Sequence, residues 1–442
     1  MSGCLHVIGG GLAGLSAALA AAGAGRRVVL YEAGPACGGR ARSYEDRQLG
    51  CRIDNGNHLL LSGNRATFDY LDRIGARHTL AGPGVPMFPF ADISPDRGAD
   101  LHWTLRLSRG RTPWWVLDPA RRVPGMRLRE LLSLVRMLRA REGTTVSECL
   151  SPGMLADRLL VPLSISVLNT RPEVGSAMLM AAAMRESLAA GGDACIPWFP
   201  RLGLSESLVE PALARLRAHG ASVRTGCRVW GLGTDRGRVT RLVLPEGEQV
   251  LGAGDAVVLA VTAPVAAELL AGPLPGLALP DSFESILNLH YRIALQDHLG
   301  GDLARAGFAG IVGGIAEWVF VRPGIVSVTI SAANHLAGRD NAAVAAQVWT
   351  EISRVLQPAL RPKRQADGLV VSLPHDAPPY RVLREKRATF AATTAQQKLR
   401  PGSRTDLRNL VLAGDWTDTG LPATIEGAIR SGKTAVRALA RP

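Results

Sequence analysis

Residues 5–14 of the chain read LHVIGGGLAG, and this stretch decides the fold. Its apolar run ends at Ile8, glycines follow, and an alanine-rich segment with helical spacing continues to about Ala24. A second apolar run, residues 27–31, comes next and is followed by the acidic residue Glu32. Strand, glycine turn, helix, strand and acid in this order predict a βαβ unit that binds a dinucleotide.

The glycines of this unit are expected to have separate duties. Gly9 permits the tight turn, Gly11 lets the backbone approach a pyrophosphate, and Gly14 lets the helix pack closely on the strand. The helix starts at Leu12 and Ala13, where unpaired N–H groups face the diphosphate. We therefore expect all five residues to contact the cofactor.

The acid at the end of the second strand indicates which dinucleotide binds. The carboxylate of Glu32, with Ala33 beside it, is placed to accept both hydroxyls of an adenosine ribose. It would repel a 2′-phosphate at the same position. The pattern therefore favours FAD or NAD over NADP.

Composition limits what the rest of the chain can be. At about 150 residues per domain, the 442 residues predict two or three domains, and an apolar content of 47% is ample for a core. The net charge of +13, from 51 basic and 38 acidic residues, favours contact with an anionic surface. The six cysteines lie far apart without a CxxC pair, so we expect reduced thiols and no metal site.

The sequence shows neither the pattern of a signal peptide nor that of a membrane-spanning helix. No Lys or Arg precedes the first apolar run, glycines interrupt it, and no window of about 18 residues is apolar throughout. We therefore expect a cytoplasmic protein, without a signal peptide or a membrane span. The sequence has no helix-turn-helix, zinc-finger or aromatic stacking motif, so we expect no nucleic-acid partner.

Motifs near both ends of the chain extend the cofactor prediction. Gly38-Gly39-Arg40 follows the βαβ unit, and Gly414-Asp415 follows a predicted strand at 409–413. A predicted helix at 423–440 comes next and contains Glu426-Gly427-Ala428. On these motifs the chain resembles the superfamily of FAD-dependent amine oxidases and phytoene desaturases, and the resemblance implies FAD as the cofactor.

The resemblance also implies a place for each motif around FAD. Gly39 and Arg40 run beside the cofactor phosphates, and Gly414 and Asp415 close on the diphosphate and the ribityl chain. The flavin pyrimidine ring is faced by the helix start, formed by Ala423, Thr424 and Ile425. This placement is favourable because reduced flavin is anionic at N1–C2 and a helix N-terminus carries partial positive charge.

A third match lies between the two ends. Residues 201–229 resemble the family's helix and strand in which one residue, here Val229, meets the adenine through its backbone. The implied fold class is α/β, with a Rossmann-type FAD-binding domain interleaved with an α+β substrate domain that has a mixed sheet and a helical cap. The FAD-binding domain is assigned to residues 1–85, 203–272 and 395–442, and the substrate-binding domain to residues 86–202 and 273–394.

Hydrophobic patterns predict the other elements. Residues 239–261 indicate a β-meander that ends at Val257–Val261, and residues 127–200 look mainly helical. Strands are predicted at Leu287–Leu295, Glu317–Val321, Ile325–Ser331 and Leu369–Leu373.

One predicted helix of the cap, residues 127–142, has an apolar stripe and arginines away from it. The stripe is formed by Leu128, Leu131, Leu132, Val135 and Leu138. The helix is preceded by the indoles of Trp103, Trp114 and Trp115. Together these features favour peripheral contact with an anionic membrane surface, the inner face of the cell membrane. The alternative is an ordinary cap helix that buries its stripe.

Two further segments narrow the family. Residues 54–63, DNGNHLLLSG, and residues 387–393, RATFAAT, resemble the hydroxysqualene dehydroxylases of bacterial hopanoid synthesis. The resemblance implies an isoprenoid lipid substrate and reductive removal of the hydroxyl group of hydroxysqualene to give squalene, with Gly56, Asn57 and His58 beside the cofactor. The alternative is a phytoene- or diapophytoene-type desaturase, which moves hydride in the opposite direction.

Other flavin functions fit the residues less well. Amine oxidases place an aromatic side chain just ahead of the C-terminal Glu-Gly-Ala, but Thr424-Ile425 stands there. No cysteine follows Cys227, which excludes the covalent cysteinyl link of some relatives. A flavin-bound scaffold without turnover stays a further alternative, and the sequence leaves the oligomeric state open.

Removal of the hydroxyl group needs an acid near it and a dry apolar tunnel. His58 is the first candidate for this acid, because its segment runs past the flavin in relatives and imidazole titrates near neutrality. Asp54 is the second candidate. The alternatives are a hydrogen-bonding role for His58 without proton transfer and a structural acceptor role for Asp54.

Overall fold

The structure is a computed structural model in which residues 3–361 and 372–440 are described. Its strands are, in chain order, β1 (Leu5–Ile8), β2 (Val28–Tyr31), β3 (Ser43–Asp46), β4 (Cys51–Asp54), β5 (Leu60–Leu61), β6 (Leu80–Ala81), β7 (Met87–Asp92), β8 (Leu101–Arg106), β9 (Pro197–Pro200), β10 (Ser222–Arg224), β11 (Gly231–Asp235), β12 (Arg238–Leu244), β13 (Gly247–Val250), β14 (Ala256–Leu259), β15 (Phe283–Arg292), β16 (Phe308–Val312), β17 (Trp318–Arg322), β18 (Ile325–Ile330), β19 (Tyr380–Phe390) and β20 (Leu410–Leu412).

Its α-helices are α1 (Leu12–Gly23), α2 (Arg65–Arg73), α3 (Leu132–Leu138), α4 (Val146–Cys149), α5 (Val161–Leu168), α6 (Ala177–Glu186), α7 (Glu210–Ala218), α8 (Ala263–Leu270), α9 (Gly301–Ala306), α10 (Asn341–Leu356), α11 (Thr394–Lys398) and α12 (Ile425–Ala440). None of the helices in the described part of the chain combines the length and apolar character needed to cross a membrane.

A five-stranded parallel sheet with the order β10-β2-β1-β14-β20 forms the first domain. The central strands β1 and β14 are buried along their whole length, which is typical of a parallel sheet covered on both faces. α1 and α12 pack on one face, and β12 with α8 packs on the other. This architecture confirms the α/β fold class, while the exact domain boundaries stay a prediction.

One predicted element is placed differently. β12 and β13 form part of the predicted antiparallel meander, which β11 extends ahead of the predicted range, but β14 leaves it and lies between β1 and β20. The reason is its composition: Ala256–Leu259 is apolar on both sides of the strand, which suits the centre of a covered sheet rather than the edge of a half-exposed one.

A seven-stranded mixed sheet with the order β19-β15-β18-β17-β16-β7-β8 forms the second domain. It confirms the strands predicted near residues 287–295, 317–321 and 325–331, whereas residues 369–371 of the fourth lie outside the described residues. One face packs on α10 through Leu289, Val328 and their neighbours. By strand register, the opposite face, which we call the inner face, carries Phe90, Trp103, Asn288, Phe308, Trp318 and Thr329.

The helical segments of residues 128–190 cover part of the inner face as a cap. Leu155, Leu159 and Leu160 pack in the same cluster as the aromatic residues of the inner face. The indole N–H of Trp318 donates a hydrogen bond to Ser166 Oγ of α5 at 2.5 Å. The cap therefore packs directly on the apolar inner face.

Candidate functional site

The glycine turn between β1 and α1 forms one wall of the site. Gly9 has a φ of +107°, in the region that favours glycine. A Cβ at Gly14 would lie 1.9 Å from the carbonyl oxygen of Gly9, so only glycine lets the helix approach the turn. A Cβ at Gly11 would meet nothing within 4 Å, and Leu12 and Ala13 begin α1 beside this open space. This geometry fits the three duties predicted for the glycines.

The carboxylate of Glu32 holds the turn from the end of β2. Its Oε2 accepts the N–H of Gly10 at 2.7 Å, and its Oε1 accepts the N–H of Gly34 at 2.7 Å. An ionised carboxylate has about four lone-pair positions, so two remain for ribose hydroxyls. Ala33, between these contacts, is exposed.

The segment predicted to meet the adenine lies beside the same carboxylate. The N–H of Cys227 donates to the carbonyl of Glu32 at 2.9 Å, which joins this segment to the end of β2. Val229 follows two residues later and is buried. The structure thus brings the residues predicted for adenosine together.

The segment around Gly39 and Arg40 lies against the glycine turn. A Cβ at Gly39 would be 3.3 Å from the Cα of Gly11. The guanidinium of Arg40 forms an ion pair with Asp415, 2.7 Å between Nη2 and Oδ1, and also donates to the carbonyl of Ala388. Two motifs 375 residues apart in the chain are therefore in direct contact.

The turn before α12 is shaped for close approach. Gly414 has a φ of +150°, and its N–H donates to Ser431 Oγ at 2.8 Å. In the following helix, Thr424 Oγ1 accepts the N–H of Gly427 at 3.0 Å. The residues predicted to face the flavin are Ala423, Thr424 and Ile425. All three are half-buried, whereas the residues on either side of them are buried.

α12 packs directly on α1. A Cβ at Gly432 would lie 2.2 Å from the carbonyl oxygen of Ala13, and Ser16 Oγ donates to the carbonyl of Ile429 at 2.8 Å. The opening glycine turn and the closing helix thus meet at one site, as the predicted cofactor placement requires.

Arg400 is a site residue that the sequence analysis missed. Its buried guanidinium donates from Nη2 to the carbonyl of Asp415 at 3.0 Å and lies over the ring of Phe390. Burial lowers the pKa of Arg400 to about 10. Its Nε and Nη1 are buried without a hydrogen-bond partner among the described residues. Unused donors beside Asp415, together with the open space at Gly11, fit a ligand rich in acceptors, such as FAD.

Asp54, the second predicted acid, is held in a buried ion pair. Its Oδ2 accepts from Arg322 Nη1 at 2.6 Å, and its Oδ1 accepts from Ser43 Oγ at 2.6 Å and from the N–H of Leu204 at 2.9 Å. Every contact of the side chain is that of an acceptor. This geometry favours the structural alternative, and a catalytic role for Asp54 stays a prediction.

The segment after Asp54 crosses the inner face. Asn57 Nδ2 donates to Thr329 Oγ1 at 3.1 Å, and Thr329 Oγ1 donates to Asn288 Oδ1 at 2.9 Å. Asn288 Nδ2 in turn donates to the carbonyl of Asn55 at 3.2 Å, and a Cβ at Gly56 would be 3.4 Å from the same nitrogen. Hydrogen bonds therefore join residues 55–57, which were predicted to lie beside the cofactor, to the seven-stranded sheet of the second domain.

His58, the first predicted acid, is uncharged at neutral pH. Burial lowers the pKa of His58 to about 4, and Arg40 acts in the same direction while Asp54 opposes it. A neutral imidazole can donate or accept a hydrogen bond, but it is not an imidazolium acid. The environment thus favours the hydrogen-bonding alternative, and the acid role of His58 stays a prediction.

Aromatic rings dominate the inner face beyond this segment. Phe90 stacks on Trp103 with ring centroids 4.7 Å apart and contacts Trp318 at 5.5 Å. Phe308 contacts Trp318 at 6.1 Å. The sequence carried a signal for this surface, since residues 88 and 90, and again 318 and 320, are aromatic at the two-residue spacing of a strand. The surface suits a long apolar ligand.

Comparisons with known proteins identify the family of the chain. The family model described as flavin containing amine oxidoreductase matches residues 12–300 and 319–440. A protein named hydroxysqualene dehydroxylase from Rhodopseudomonas palustris is 44% identical over 438 residues, which cover 98% of each chain. A protein of the same name from Zymomonas mobilis is 41% identical and covers 97% of each chain.

A solved structure shows the same fold. An oxidoreductase from Methanosarcina mazei superposes with a TM-score of 0.66 over 98% of this chain and 100% of that chain, at 14% identity. The family match and the similar named proteins confirm the predictions of an FAD cofactor and of an oxidoreductase. The chain belongs to the flavin-containing amine oxidoreductases and, within that family, to the hydroxysqualene dehydroxylases.

Proposed function

We propose that the protein removes the hydroxyl group of hydroxysqualene and replaces it with hydride, giving squalene. The observation that carries this proposal is the similarity to proteins named hydroxysqualene dehydroxylase, which extends over nearly the whole chain and so includes the substrate domain. The aromatic inner face supports it, because a long isoprenoid needs an extended apolar surface.

The chemistry divides between the cofactor and the chain. FAD in its reduced form supplies hydride to carbon when it is bound. The chain must position the isoprenoid, exclude water and tolerate positive charge on the carbon that loses oxygen. Phe90, Trp318 and Phe308 are suited to this, because aromatic faces attract cations and contain no nucleophile that would trap one.

The direction of hydride transfer is tested with two substrates. The purified protein is reduced under anaerobic conditions and incubated with hydroxysqualene, and the oxidised protein is incubated with phytoene. Free reduced FAD without protein is the control. We expect squalene from the first reaction, identified by mass spectrometry. Additional double bonds in phytoene, with hydroxysqualene recovered unchanged, would instead establish a desaturase.

We also propose that the protein contacts an anionic membrane surface, the inner face of the cell membrane, where its apolar substrate is available. α3 and the turn before it support this proposal. They bury the polar Glu130 and Ser133, whereas Leu132, at 59% exposure, Leu128 and Val135 face outward. The other two residues of the predicted stripe, Leu131 and Leu138, pack into the cap instead. The exposed apolar side chains beside arginines nevertheless suit a membrane interface.

The surroundings of this exposed stripe add charge complementarity. Trp114, at 65% exposure, and Leu117 are further exposed apolar residues of this domain. A concavity of about 340 Å³ beside the stripe is lined by Val135, Arg136, Arg139 and Arg141, among others. A second concavity of about 270 Å³ is lined by Arg106, Arg109, Arg121 and Arg305, among others. Guanidinium groups in such concavities suit the phosphate groups of anionic lipids.

Vesicle binding tests the membrane proposal. The wild-type protein should sediment with vesicles that contain phosphatidylglycerol and much less with pure phosphatidylcholine vesicles. A variant with Leu128→Ser and Leu132→Ser should lose most of this binding. Val250→Ser is the matched control, since Val250 is 70% exposed but lies on β13, away from the stripe. Equal binding by wild type and the double variant would refute the proposed surface.

A further inference from the structure

One row of residues crosses the inner face from aromatic rings to polar groups. Directly opposite residues on neighbouring strands point to the same face of a sheet. The strand register gives a row that runs from β8 to β15 as Trp103, Phe90, Gly310, Trp318, Thr329 and Asn288. An apolar and a polar section of the inner face are therefore adjacent, and they meet between Trp318 and Thr329.

The apolar section is continuous because of Gly310. A Cβ at this position would overlap the ring of Phe90, so that ring lies over the bare backbone of β16. Phe90 thereby reaches Trp318, with ring centroids 5.5 Å apart, while its other side stacks on Trp103 at 4.7 Å. The three rings form one apolar surface that ends at the polar section.

The polar section is a chain of hydrogen bonds whose direction is fixed at one end. The backbone carbonyl of Asn55 can only accept, and it accepts from Nδ2 of Asn288 at 3.2 Å. Asn288 therefore turns its Oδ1 towards Thr329, whose hydroxyl donates to it at 2.9 Å. Since the proton of this hydroxyl is used, Thr329 Oγ1 accepts from Nδ2 of Asn57 at 3.1 Å. The last atom of the chain is Oδ1 of Asn57, an acceptor.

Oδ1 of Asn57 is the open end of this chain. In the part of the protein that the structure describes, it has no hydrogen-bond partner, and it is not among the fully buried polar atoms. Asn57 is half-buried, whereas Thr329 and Asn288 are buried in the sheet behind it. An amide oxygen fixed in this way is suited to a ligand that carries a hydrogen-bond donor, and it has no partner in a pure hydrocarbon.

The same segment contacts the residues predicted to surround the cofactor. Nδ2 of Asn55 donates to the carbonyl of Arg40 at 3.4 Å, and the guanidinium of Arg40 forms the ion pair with Asp415. Asn57 follows two residues later and is bound to the sheet through Thr329. The open acceptor therefore belongs to the segment that joins the cofactor motifs to the aromatic surface.

We propose that Asn57 binds the hydroxyl group of the substrate, with its Oδ1 accepting the hydrogen bond, an inference that rests on the proposed function. Thr329 and Asn288 are positioning residues that fix the direction of the amide. The apolar chain of the substrate extends from there over Trp318 and Phe90. The hydrogen bond uses the proton of the hydroxyl group and leaves the lone pairs of its oxygen available for protonation.

This contact also distinguishes substrate from product. Squalene carries no hydroxyl group, so it leaves Oδ1 of Asn57 without a partner. A site that presents a polar atom to a ligand lacking its counterpart binds that ligand more weakly. We therefore expect hydroxysqualene to be retained and squalene to be released.

The test measures the preference for hydroxysqualene over squalene. Binding of each radiolabelled ligand to the oxidised, FAD-loaded protein in detergent micelles gives a dissociation constant without turnover. The wild type should bind hydroxysqualene about tenfold more tightly than squalene, the contribution of one hydrogen bond. Asn57→Ala should retain FAD and bind the two ligands with similar dissociation constants.

Substitutions at Thr329 separate positioning from packing. Thr329→Val keeps the shape of the side chain but removes the hydroxyl group that holds Asn57, so the preference should fall towards equal binding. Thr329→Ser keeps the hydroxyl group and should keep the preference. Thr240→Val is the matched control, because its hydroxyl group lies on β12 and donates to the carbonyl of Gly233, away from the inner face.

The outcomes discriminate between this proposal and the proposed function. A wild type without the preference, or an unchanged preference in Asn57→Ala or Thr329→Val, would overturn the proposal. Loss of FAD from Asn57→Ala would overturn it too, because it would assign the residue to the cofactor. A wild type that prefers hydroxysqualene but forms no squalene after reduction would count against the proposed function and leave the hydroxyl-binding site standing.

Discussion

Substitution of Asp54 by Asn should destabilise the protein strongly. The change removes the negative charge that faces Arg322 at 2.6 Å, and both side chains are almost completely buried, at 4% and 9% exposure. Arg322 Nε is already buried without a partner among the described residues. The amide keeps only one acceptor oxygen, so its NH2 group would face either Arg322 or the two groups that donate to Asp54 Oδ1, the hydroxyl of Ser43 and the N–H of Leu204.

The magnitude follows from the burial of the pair. Removing one member of a buried ion pair leaves an uncompensated charge and costs about 3–5 kcal/mol. At about 2.1 cal/mol/K of unfolding entropy per residue, a loss of this size corresponds to a fall in Tm of roughly 3–5 °C in a chain of 442 residues. Glu246→Gln is the control, because Glu246 pairs with Arg224 at the surface and such pairs contribute at most about 1 kcal/mol.

The assay is thermal and urea unfolding of the purified proteins with FAD present at a fixed concentration. Arg322→Met and the double variant complete a mutant cycle, in which the double variant should lose less stability than the sum of the two single variants. An Asp54→Asn protein that melts like the wild type would refute the reasoning. If that protein were also inactive, Asp54 would return as a candidate acid.

Three further predictions concern the cofactor turn and the buried histidines. Gly11→Val should fold normally, because a Cβ there meets nothing, but should lose its flavin absorbance, whereas Gly14→Val should be unstable, because its Cβ would lie 1.9 Å from a carbonyl oxygen. His58→Ala should keep its flavin absorbance and the wild-type pH profile near neutrality, and a shifted profile would restore His58 as the acid. Burial lowers the pKa of His290 to about 4, below its value of about 6.5 in an unfolded chain, so the neutral form stabilises the fold above that pH and this contribution is lost as pH falls from 6.5 to 4. Urea unfolding at several pH values should show a weaker acid sensitivity in His290→Gln, and identical curves would contradict this.

The cofactor half of the site is predictable from sequence because its requirements are local. A tight turn, a close helix contact and an acid at the strand end each restrict the residue type within a short window, as Gly9, Gly14 and Glu32 illustrate. The motif near residue 414 is predictable for the same reason. These segments could be assigned before their spatial contact was known.

The catalytic half depends on contacts between distant segments. The partner of Asp54 is 268 residues away, and nothing in the sequence around Arg322 indicates the pair. Arg400 is a single residue without a pattern, and its environment is created by burial. The apolar stripe of residues 128–138 was visible in the sequence, but only Leu128, Leu132 and Val135 face outward. Leu131 and Leu138 pack into the cap, and this division depends on tertiary contacts.

The stoichiometry of one turnover tests the central claim most directly. The flavin of the purified protein is reduced under anaerobic conditions, hydroxysqualene is added in excess, and flavin reoxidation and squalene are measured in the same sample. The account predicts one squalene for each flavin reoxidised. Flavin that stays reduced while hydroxysqualene is recovered intact, or squalene formed without flavin oxidation, would contradict it.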